Sequence, residues 1–200
     1  MNIVSSNIET ARPGRPRSQQ RRTAILQAAA DLALAGGSLP TMDAIAARAG
    51  VSRTTLYRWW PSAAAVLAEG LLEHFHESIE FDDDLSVRDA LTAQVDALVH
   101  LLRDTSAGML LRQLMAASIT DREVAAAMLD QWLEPRRRAA IHHLERGIAT
   151  GVVRPCTDTG LVTDTLFAPA YYRLIWGHTD LGDDLAEQVC ALVWPAVAMP

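Results

Sequence analysis

The side chains best suited to specific binding lie between Thr41 and Trp60, in the run TMDAIAARAGVSRTTLYRWW. Two short helices are predicted there, with a turn at Gly50 between them. Thr41 and Ser52 stand where N-cap residues would begin each helix, because their side-chain oxygens can accept from the first free backbone N–H groups. Two short helices that meet at a tight turn predict a helix-turn-helix.

The second helix is predicted to present polar and basic side chains that suit the major groove of double-stranded DNA. Arginine can bond O6 and N7 of guanine together, and threonine can offer a hydroxyl or touch a thymine methyl group. The N-termini capped by Thr41 and Ser52 can bind phosphates through backbone N–H groups. The residues predicted to be exposed on this helix are Arg53, Thr54, Thr55, Tyr57 and Arg58. A helical hairpin with an ordinary polar face is the alternative interpretation.

The formal net charge of −6 is divided unevenly along the chain. Residues 1–60 hold eight arginines and three acidic residues, whereas residues 61–200 hold ten arginines and 21 acidic residues. A basic N-terminal part on an acidic body indicates that the N-terminal part binds a polyanion and that the body does not.

Residues 1–18 are polar, carry two prolines and are predicted to form a flexible basic arm. The run Gly14-Arg15-Pro16-Arg17 resembles the short minor-groove reader of AT-hook proteins. Arg15 and Arg17 are therefore predicted to enter a narrow, A·T-rich minor groove, where the potential is most negative. A solvated tail is the alternative, and the helix-turn-helix that follows favours DNA binding.

The fold is predicted to be all-α, because apolar residues recur at intervals of three and four and no segment alternates as a strand would. Helices are expected over about 19–36, 42–48, 53–59, 62–80, 87–104, 106–118, 121–149, 157–177 and 183–194, with kinks or breaks at Pro135 and Pro169. The expected domains are an arm (1–18), a helix-turn-helix DNA-binding domain (19–62) and a helical ligand-binding and dimerisation domain (63–200).

Several classes of function are disfavoured by what the sequence lacks. No apolar run approaches the roughly 18 residues of a membrane span, and the N-terminus lacks the pattern of a signal peptide, so we expect a cytoplasmic protein without membrane contact. Phosphate loops, nucleophile elbows and dinucleotide motifs are missing, which argues against an enzyme. The six histidines and the two cysteines, Cys156 and Cys190, lack metal-site spacing, so no metal or cofactor is predicted.

Four runs carry a resemblance to a known family: Ile25–Ala29, Thr41–Ala46, Ala49–Tyr57 and Trp59–Ser62. Through them residues 21–72 resemble the DNA-binding domain of the TetR family of bacterial transcriptional regulators. The resemblance implies base-reading and phosphate-contacting roles, the former for Arg53, Thr54, Thr55 and Arg58 and the latter for Thr41, Ser52, Tyr57 and Trp59. One position departs from the family pattern, since Ala63 stands where a lysine is common, and this removes one phosphate contact.

The C-terminal part is similar to one domain type of that family, through Arg136-Arg-Arg, Gly147, Gly151–Arg154 and Pro169–Leu174. The resemblance implies that the last two long helices pair with their copies in a homodimer. The apolar residues predicted to form that interface are Phe167, Tyr172, Trp176, Leu185, Val189, Leu192 and Val193. Burial within one subunit is the alternative. A dimer would hold two recognition helices about 34 Å apart, which calls for a palindromic operator.

A small-molecule effector of unknown identity is the remaining expected partner, because the family commonly binds ligands between the helices of the body. The residues predicted to line an apolar pocket are Phe75, Leu98, Met109, Leu110, Leu114, Met115 and Trp132. Plain core packing is the alternative. The sequence thus predicts a homodimeric repressor whose operator affinity changes with a small apolar ligand. The alternative, which Ala63 leaves open, is a helical ligand-binding protein with weak or no specific DNA binding that acts through a protein partner.

Overall fold

The computed structural model describes residues 15–36, 38–74 and 84–200, and the side chains of residues 19–36, 38–70 and 84–200. Within these ranges the secondary structure is helical, apart from turns and one isolated β-bridge. The helices are α1 (Arg15–Gly36), α2 (Met42–Ala49), α3 (Arg53–Tyr57), α4 (Ala63–His74), α5 (Val87–Asp104), α6 (Ala107–Ser118), α7 (Arg122–Ala127), a π-helical segment (Met128–Leu133), α8 (Glu134–Ala149), α9 (Thr159–Trp176) and α10 (Leu185–Val197).

The N-terminal helices α1, α2 and α3 form a head together with the start of α4, which packs along α1. Ile25, Ile45, Leu56 and Val66 are fully buried there and come from the four helices in turn. The helices α1 and α4 approach so closely that a Cβ on Gly70 would lie 2.7 Å from the carbonyl oxygen of Leu26. A side chain at that position would therefore push the two helices apart.

The first helix begins earlier than the sequence predicts. It starts at Arg15 and not at residue 19, so Arg15 and Arg17 belong to a helix and not to the expected arm. Pro16 is compatible with this start, because proline is tolerated in the first turn, where its missing N–H has no partner to lose. Residues 1–14 lie outside the described residues, as does the expected extension of the fourth helix from 75 to 80.

The body consists of α5 to α10. The helix α5 lies at its centre and contacts α6, α8, α9 and α10. Its buried face includes Leu91, Val95 and Leu98, which recur as one side of a helix requires. The turn from α5 to α6 is tight, because a Cβ on Gly108 would overlap the carbonyl oxygen of Leu102. The apolar core of the body is continuous with that of the head.

The long helical run from 122 to 149 is not broken at Pro135, although its winding changes there. Residues 128–133 form the π-helical segment, and Pro135 sits in the first turn of α8. Because proline has no N–H, it removes one helical hydrogen bond, and the wider π-helical turns directly precede it. The helix α9 likewise continues through Pro169.

The C-terminal residues close one end of the body as a short β-bridge between Val153 and Ala198. Arg154 donates from its backbone N–H to the carbonyl oxygen of Val197 at 2.8 Å, and Met199 donates to that of Val152 at 2.9 Å. These bonds join the loop after α8 to the end of α10. No helix within the described ranges is both long and apolar enough to cross a membrane.

Candidate nucleic-acid interface and ligand groove

The turn between α2 and α3 is built from local hydrogen bonds. Thr41 caps α2, since its hydroxyl oxygen accepts from the backbone N–H of Ala44 at 3.2 Å. Gly50 ends α2 at a φ of +65°, in the left-handed region that favours glycine. Ser52 then caps α3, with its hydroxyl oxygen accepting from the backbone N–H of Thr55 at 3.3 Å. The predicted helix-turn-helix is confirmed.

Replacing Gly50 by alanine is expected to lower the free energy of unfolding by about 1–2 kcal/mol, because the left-handed conformation is less favourable by about that amount for a residue with a Cβ. Apart from its two chain neighbours, no described residue has an atom within 4 Å of the added Cβ, so the cost comes from the backbone conformation. Urea denaturation followed by circular dichroism measures the change. Gly36→Ala is the matched control, since its Cβ meets only the Ser38 hydroxyl oxygen at 3.8 Å. Equal stabilities for the two variants would contradict the argument.

The predicted DNA-contacting residues of the helix-turn-helix are mostly exposed. Among those with described side chains, six are exposed and two, Thr55 and Trp59, are half-buried. The exposed ones are Thr41, Ser52, Arg53, Thr54, Tyr57 and Arg58. By contrast Leu56 is fully buried on the opposite side of α3, where it anchors the helix to the head core. The geometry thus presents polar and basic groups outward from a fixed helix.

Two arginines of this surface rest on aromatic rings. The Arg53 guanidinium lies 5.9 Å from the centre of the Tyr57 ring, and that of Arg58 lies 5.7 Å from the Trp59 ring. Arg53 also pairs with Asp43, with 2.9 Å between Nε and Oδ1. The hydrogen bond with Tyr57, and next the charge of Asp43, raise the pKa of Arg53. Because this ion pair is exposed, it costs little to break when a base or phosphate competes.

A cluster of three side chains fixes the end of the recognition element to its neighbours. The Glu69 carboxylate on α4 accepts from Arg22 Nε on α1 at 2.9 Å and from Trp60 Nε1 at 2.8 Å. The Arg22 guanidinium also lies 5.0 Å from the Trp60 ring. Sequence reasoning missed this cluster, because Arg22 and Glu69 are 47 residues apart and no local pattern connects them.

Polar contacts connect the head to the body. The Ser62 hydroxyl, which caps α4 at Ala65, donates to Oδ2 of Asp121 at 3.1 Å. Oδ1 of the same carboxylate caps α7 by accepting from the backbone N–H groups of Glu123 and Val124. A displacement of α7 would therefore act directly on the start of α4.

A groove of about 700 Å³ opens between the end of α6, α7, the π-helical segment, α8 and α9. Its walls are mainly apolar and aromatic, with a few polar groups. The residues that line it are Met115, Ser118, Ile119, Ala125, Met128, Leu129, Trp132, Leu133, Arg136, Arg137, Thr163, Asp164, Phe167, Ala168, Tyr171, Tyr172 and Ile175.

Only some of the residues predicted to line a pocket line this groove. Met115 and Trp132 line it, whereas Leu98, Leu110 and Leu114 are buried in the core of the body. Met109 is 55% exposed and does not line the groove, and Phe75 lies outside the described residues. On α6 the difference arises from the helical period. Leu110 and Leu114 lie on the side that faces the core, whereas Met115, Ser118 and Ile119 lie on the side that faces the groove.

Three side chains of the groove wall are joined through the Trp132 indole. The Arg136 guanidinium lies 3.6 Å from the centre of a Trp132 ring, and its Nη1 donates to the Trp132 carbonyl oxygen at 3.1 Å. Trp132 Nε1 donates to the Tyr171 hydroxyl oxygen at 2.9 Å. Burial lowers the pKa of Arg136 and raises that of Tyr171. In the sequence Arg136 stands out only as the first residue of a family-like run, and no local pattern indicates that it is buried.

The residues predicted for a subunit interface fall on two sides of α9 and α10. Tyr172, Trp176 and Leu192 are exposed, and Leu192 is 81% exposed. Phe167, Leu185 and Val189 are instead buried inside the subunit, and Val193 is half-buried. On α10, Leu185 and Val189 are four residues apart and share the core side, whereas Leu192 belongs to the opposite side with Gln188 and Pro195.

Cys156 is exposed and Cys190 is buried, and both are free thiols. In the described part of the chain, no group of three or more His, Cys, Asp or Glu side chains is placed to hold a metal ion.

Two family models match the chain. The model described as bacterial regulatory proteins, tetR family, matches residues 25–69. The model described as tetracyclin repressor-like, C-terminal domain, matches residues 81–193. The first covers the helix-turn-helix with its supporting helices, and the second covers most of the body, including the groove and the exposed side of α9.

Individual proteins are similar over most of the chain. YdeS of Bacillus subtilis, an HTH-type transcriptional regulator, is 33% identical over 178 residues, which are 88% of this chain and 89% of that protein. AqdR of Rhodococcus erythropolis, also an HTH-type transcriptional regulator, is 28% identical over 74% of this chain and 71% of its own. The crystal structure of the TetR family transcription regulator SCO0332 superposes with a TM-score of 0.77 at 30% identity, covering 90% of this chain and 100% of that one.

Proposed function

The chain belongs to the TetR family of bacterial transcriptional regulators, and we propose that it is a homodimeric repressor of a palindromic operator in the cytoplasm. Members of this family are transcription factors and not enzymes. The observation that carries the proposal is the recognition helix α3, which is anchored by Leu56 and presents Arg53, Thr54 and Arg58 to solvent. These side chains suit base edges in the major groove.

Backbone groups and neutral side chains supply the remaining contacts to DNA. The first N–H groups of α2, capped by Thr41, bear a partial positive charge that favours a phosphate. Ser52, Tyr57 and Trp59 flank the base-reading residues and are proposed to contact phosphates, which fix the position of the head without reading sequence.

The homodimer is proposed to form through the exposed faces of α9 and α10. On α9, exposed residues follow one another at helical spacing: Leu161, Thr165, Ala168, Tyr172 and Trp176. The helix α10 packs beside α9 and adds Gln188, Ala191, Leu192 and Pro195. An exposed apolar surface of this extent on two adjacent helices is typical of a subunit interface, and two copies of this pair would form a four-helix bundle.

The effector is proposed to bind in the groove and to shift the heads between two spacings. The π-helical segment lines the groove and directly follows α7, whose cap Asp121 bonds to Ser62 at the start of α4. A ligand that favours one position of α7 would thus favour one position of the head. Reversing the equilibrium fully requires about 10⁴-fold preference for one state, or about 5.5 kcal/mol.

Selection of genomic fragments by the purified protein tests the proposal. Fragments retained at moderate salt are sequenced, and we expect a palindrome with half-sites one helical turn apart. Arg53→Ala, which lacks one base-reading side chain, serves as the control and should enrich the same palindrome less strongly. Enrichment of no sequence by a dimeric preparation would contradict a sequence-specific repressor.

Ala63→Lys is expected to strengthen binding to operator and to random DNA equally. Ala63 is the first residue of α4, next to the cap Ser62, and a lysine there restores a phosphate contact that the family commonly has. One added contact should steepen the dependence of log affinity on log salt by about 0.9. Fluorescence anisotropy of labelled duplexes at several salt concentrations measures this slope.

Ala93→Lys on α5 makes the same charge change at an exposed position of the body. Its slope should stay close to that of the natural sequence. If both lysine variants steepen the slope equally, the effect comes from net charge and position 63 makes no phosphate contact.

A further inference from the structure

We propose that the groove binds an apolar monocarboxylic acid, with the carboxylate held by Arg136. The inference rests on the proposed role of the groove as the effector site and adds the chemical class of the effector.

Arg136 is a buried cation without a counter-ion among the described residues. It is only 8% exposed, yet its side chain makes one hydrogen bond, from Nη1 to the Trp132 carbonyl oxygen, and one contact with the Trp132 ring. Arginine stays protonated across the neutral range even though burial lowers its pKa. A buried charge is costly without a partner of opposite sign, and a ring face compensates only part of that cost.

The neighbouring arginine makes the contrast clear. Arg137 forms an ion pair with Asp164 across the groove and lies 3.7 Å from Glu134, measured from Nε to Oε1. Its charge is therefore neutralised within the chain. Arg136 has no such carboxylate among the described residues, so we infer that its charge is available to an anion from outside.

A second donor lies at the N–H edge of the same indole. The Tyr171 hydroxyl oxygen accepts from Trp132 Nε1, and its own proton has no acceptor within the described part of the chain. Burial raises the pKa of Tyr171, so the hydroxyl keeps its proton at neutral pH. A carboxylate beside Arg136 can thus accept from the guanidinium and from this hydroxyl together.

The rest of the groove indicates the apolar character of the ligand and its net charge. Its walls are mostly thioether, aliphatic and aromatic, with Met115, Met128, Leu129, Phe167 and Ile175 among them. A volume of about 700 Å³ is within the range of small-molecule sites. One unneutralised guanidinium matches one negative charge, and its planar N–H pair matches the two oxygens of a carboxylate. A ligand with two or more negative charges would leave charge unpaired in an apolar groove.

Calorimetric titration of the full chain with decanoate and with decanol tests the inference. The two compounds have the same apolar chain and differ in charge. For the natural sequence we expect decanoate to bind more tightly than decanol. Arg136→Met, which retains the volume without the charge, should weaken decanoate binding by about tenfold to a hundredfold and leave decanol binding unchanged or stronger.

Arg138→Met is the matched control, because Arg138 is two residues further along α8, is exposed and does not line the groove. It should bind decanoate as the natural sequence does. Arg136→Gln gives a second measurement if the methionine variant does not fold. Equal decanoate affinity with and without the Arg136 charge overturns the inference, and so does failure of the natural sequence to bind either compound. The titrations contain no DNA, so they test ligand binding independently of whether the protein selects an operator.

Discussion

Trp176→Arg is expected to convert the dimer into monomers and to weaken operator binding by about a hundredfold or more. Trp176 is 70% exposed at the end of the α9 stripe, so its replacement leaves the subunit core intact. In the proposed dimer the arginine would be buried against an apolar partner surface without a counter-ion, which is strongly unfavourable. Once the heads are no longer linked, the second half-site must be bound as an independent event.

Sedimentation velocity and operator binding by fluorescence anisotropy measure the two effects. Leu192→Arg, on α10 in the same proposed interface, should give the same result. Met109→Arg makes a comparable change at an exposed methionine of α6, which is not part of the proposed interface, and should leave the dimer intact. Dimers that persist in both interface variants would place the subunit contact elsewhere on the molecule.

Arg53→Ala is expected to weaken operator binding by about 1–3 kcal/mol, or roughly five- to 150-fold, and to change binding to random DNA little. The side chain extends from the first turn of α3, where a guanidinium can bond two acceptors of one guanine. Its ion pair with Asp43 is exposed, so the free protein loses little stability when the side chain is removed.

The readout is the ratio of operator to random-DNA affinity at one fixed salt concentration. Arg48→Ala is the control, because Arg48 is an exposed arginine of α2 that pairs with Asp31 and is not among the predicted base readers. It should leave the ratio unchanged. An equal loss on both DNAs for Arg53→Ala would falsify the base-reading role and indicate a phosphate contact.

The helix-turn-helix could be predicted from the sequence because its geometry is determined locally. Thr41 and Ser52 each bond to a backbone N–H three residues later, and Gly50 ends α2 with a positive φ that favours glycine. Such contacts depend on residue types at adjacent positions, which the sequence states directly. The all-α fold and the family resemblance were confirmed for related reasons, since helical periodicity and motif spacing are one-dimensional patterns.

The groove and the interface could not be predicted in the same way, because they depend on which side of each helix meets which neighbour. Leu114 and Met115 are adjacent and similar in character, yet one is in the core and the other lines the groove. Phe167 was predicted for the interface and lies instead, buried, in the groove wall. Arg136 is one of three consecutive arginines, and its burial against Trp132 follows only from packing.

Ala168 and Tyr172 belong both to the wall of the groove and to the exposed stripe of α9. In a dimer built on that stripe, the effector and the second subunit would contact the same two side chains from opposite sides. By thermodynamic linkage, if the effector changes the affinity of one subunit for the other by some factor, dimerisation changes the affinity for the effector by the same factor. The effector concentration needed for half-saturation would therefore vary with the amount of regulator present, until the amount is high enough that every subunit is already paired.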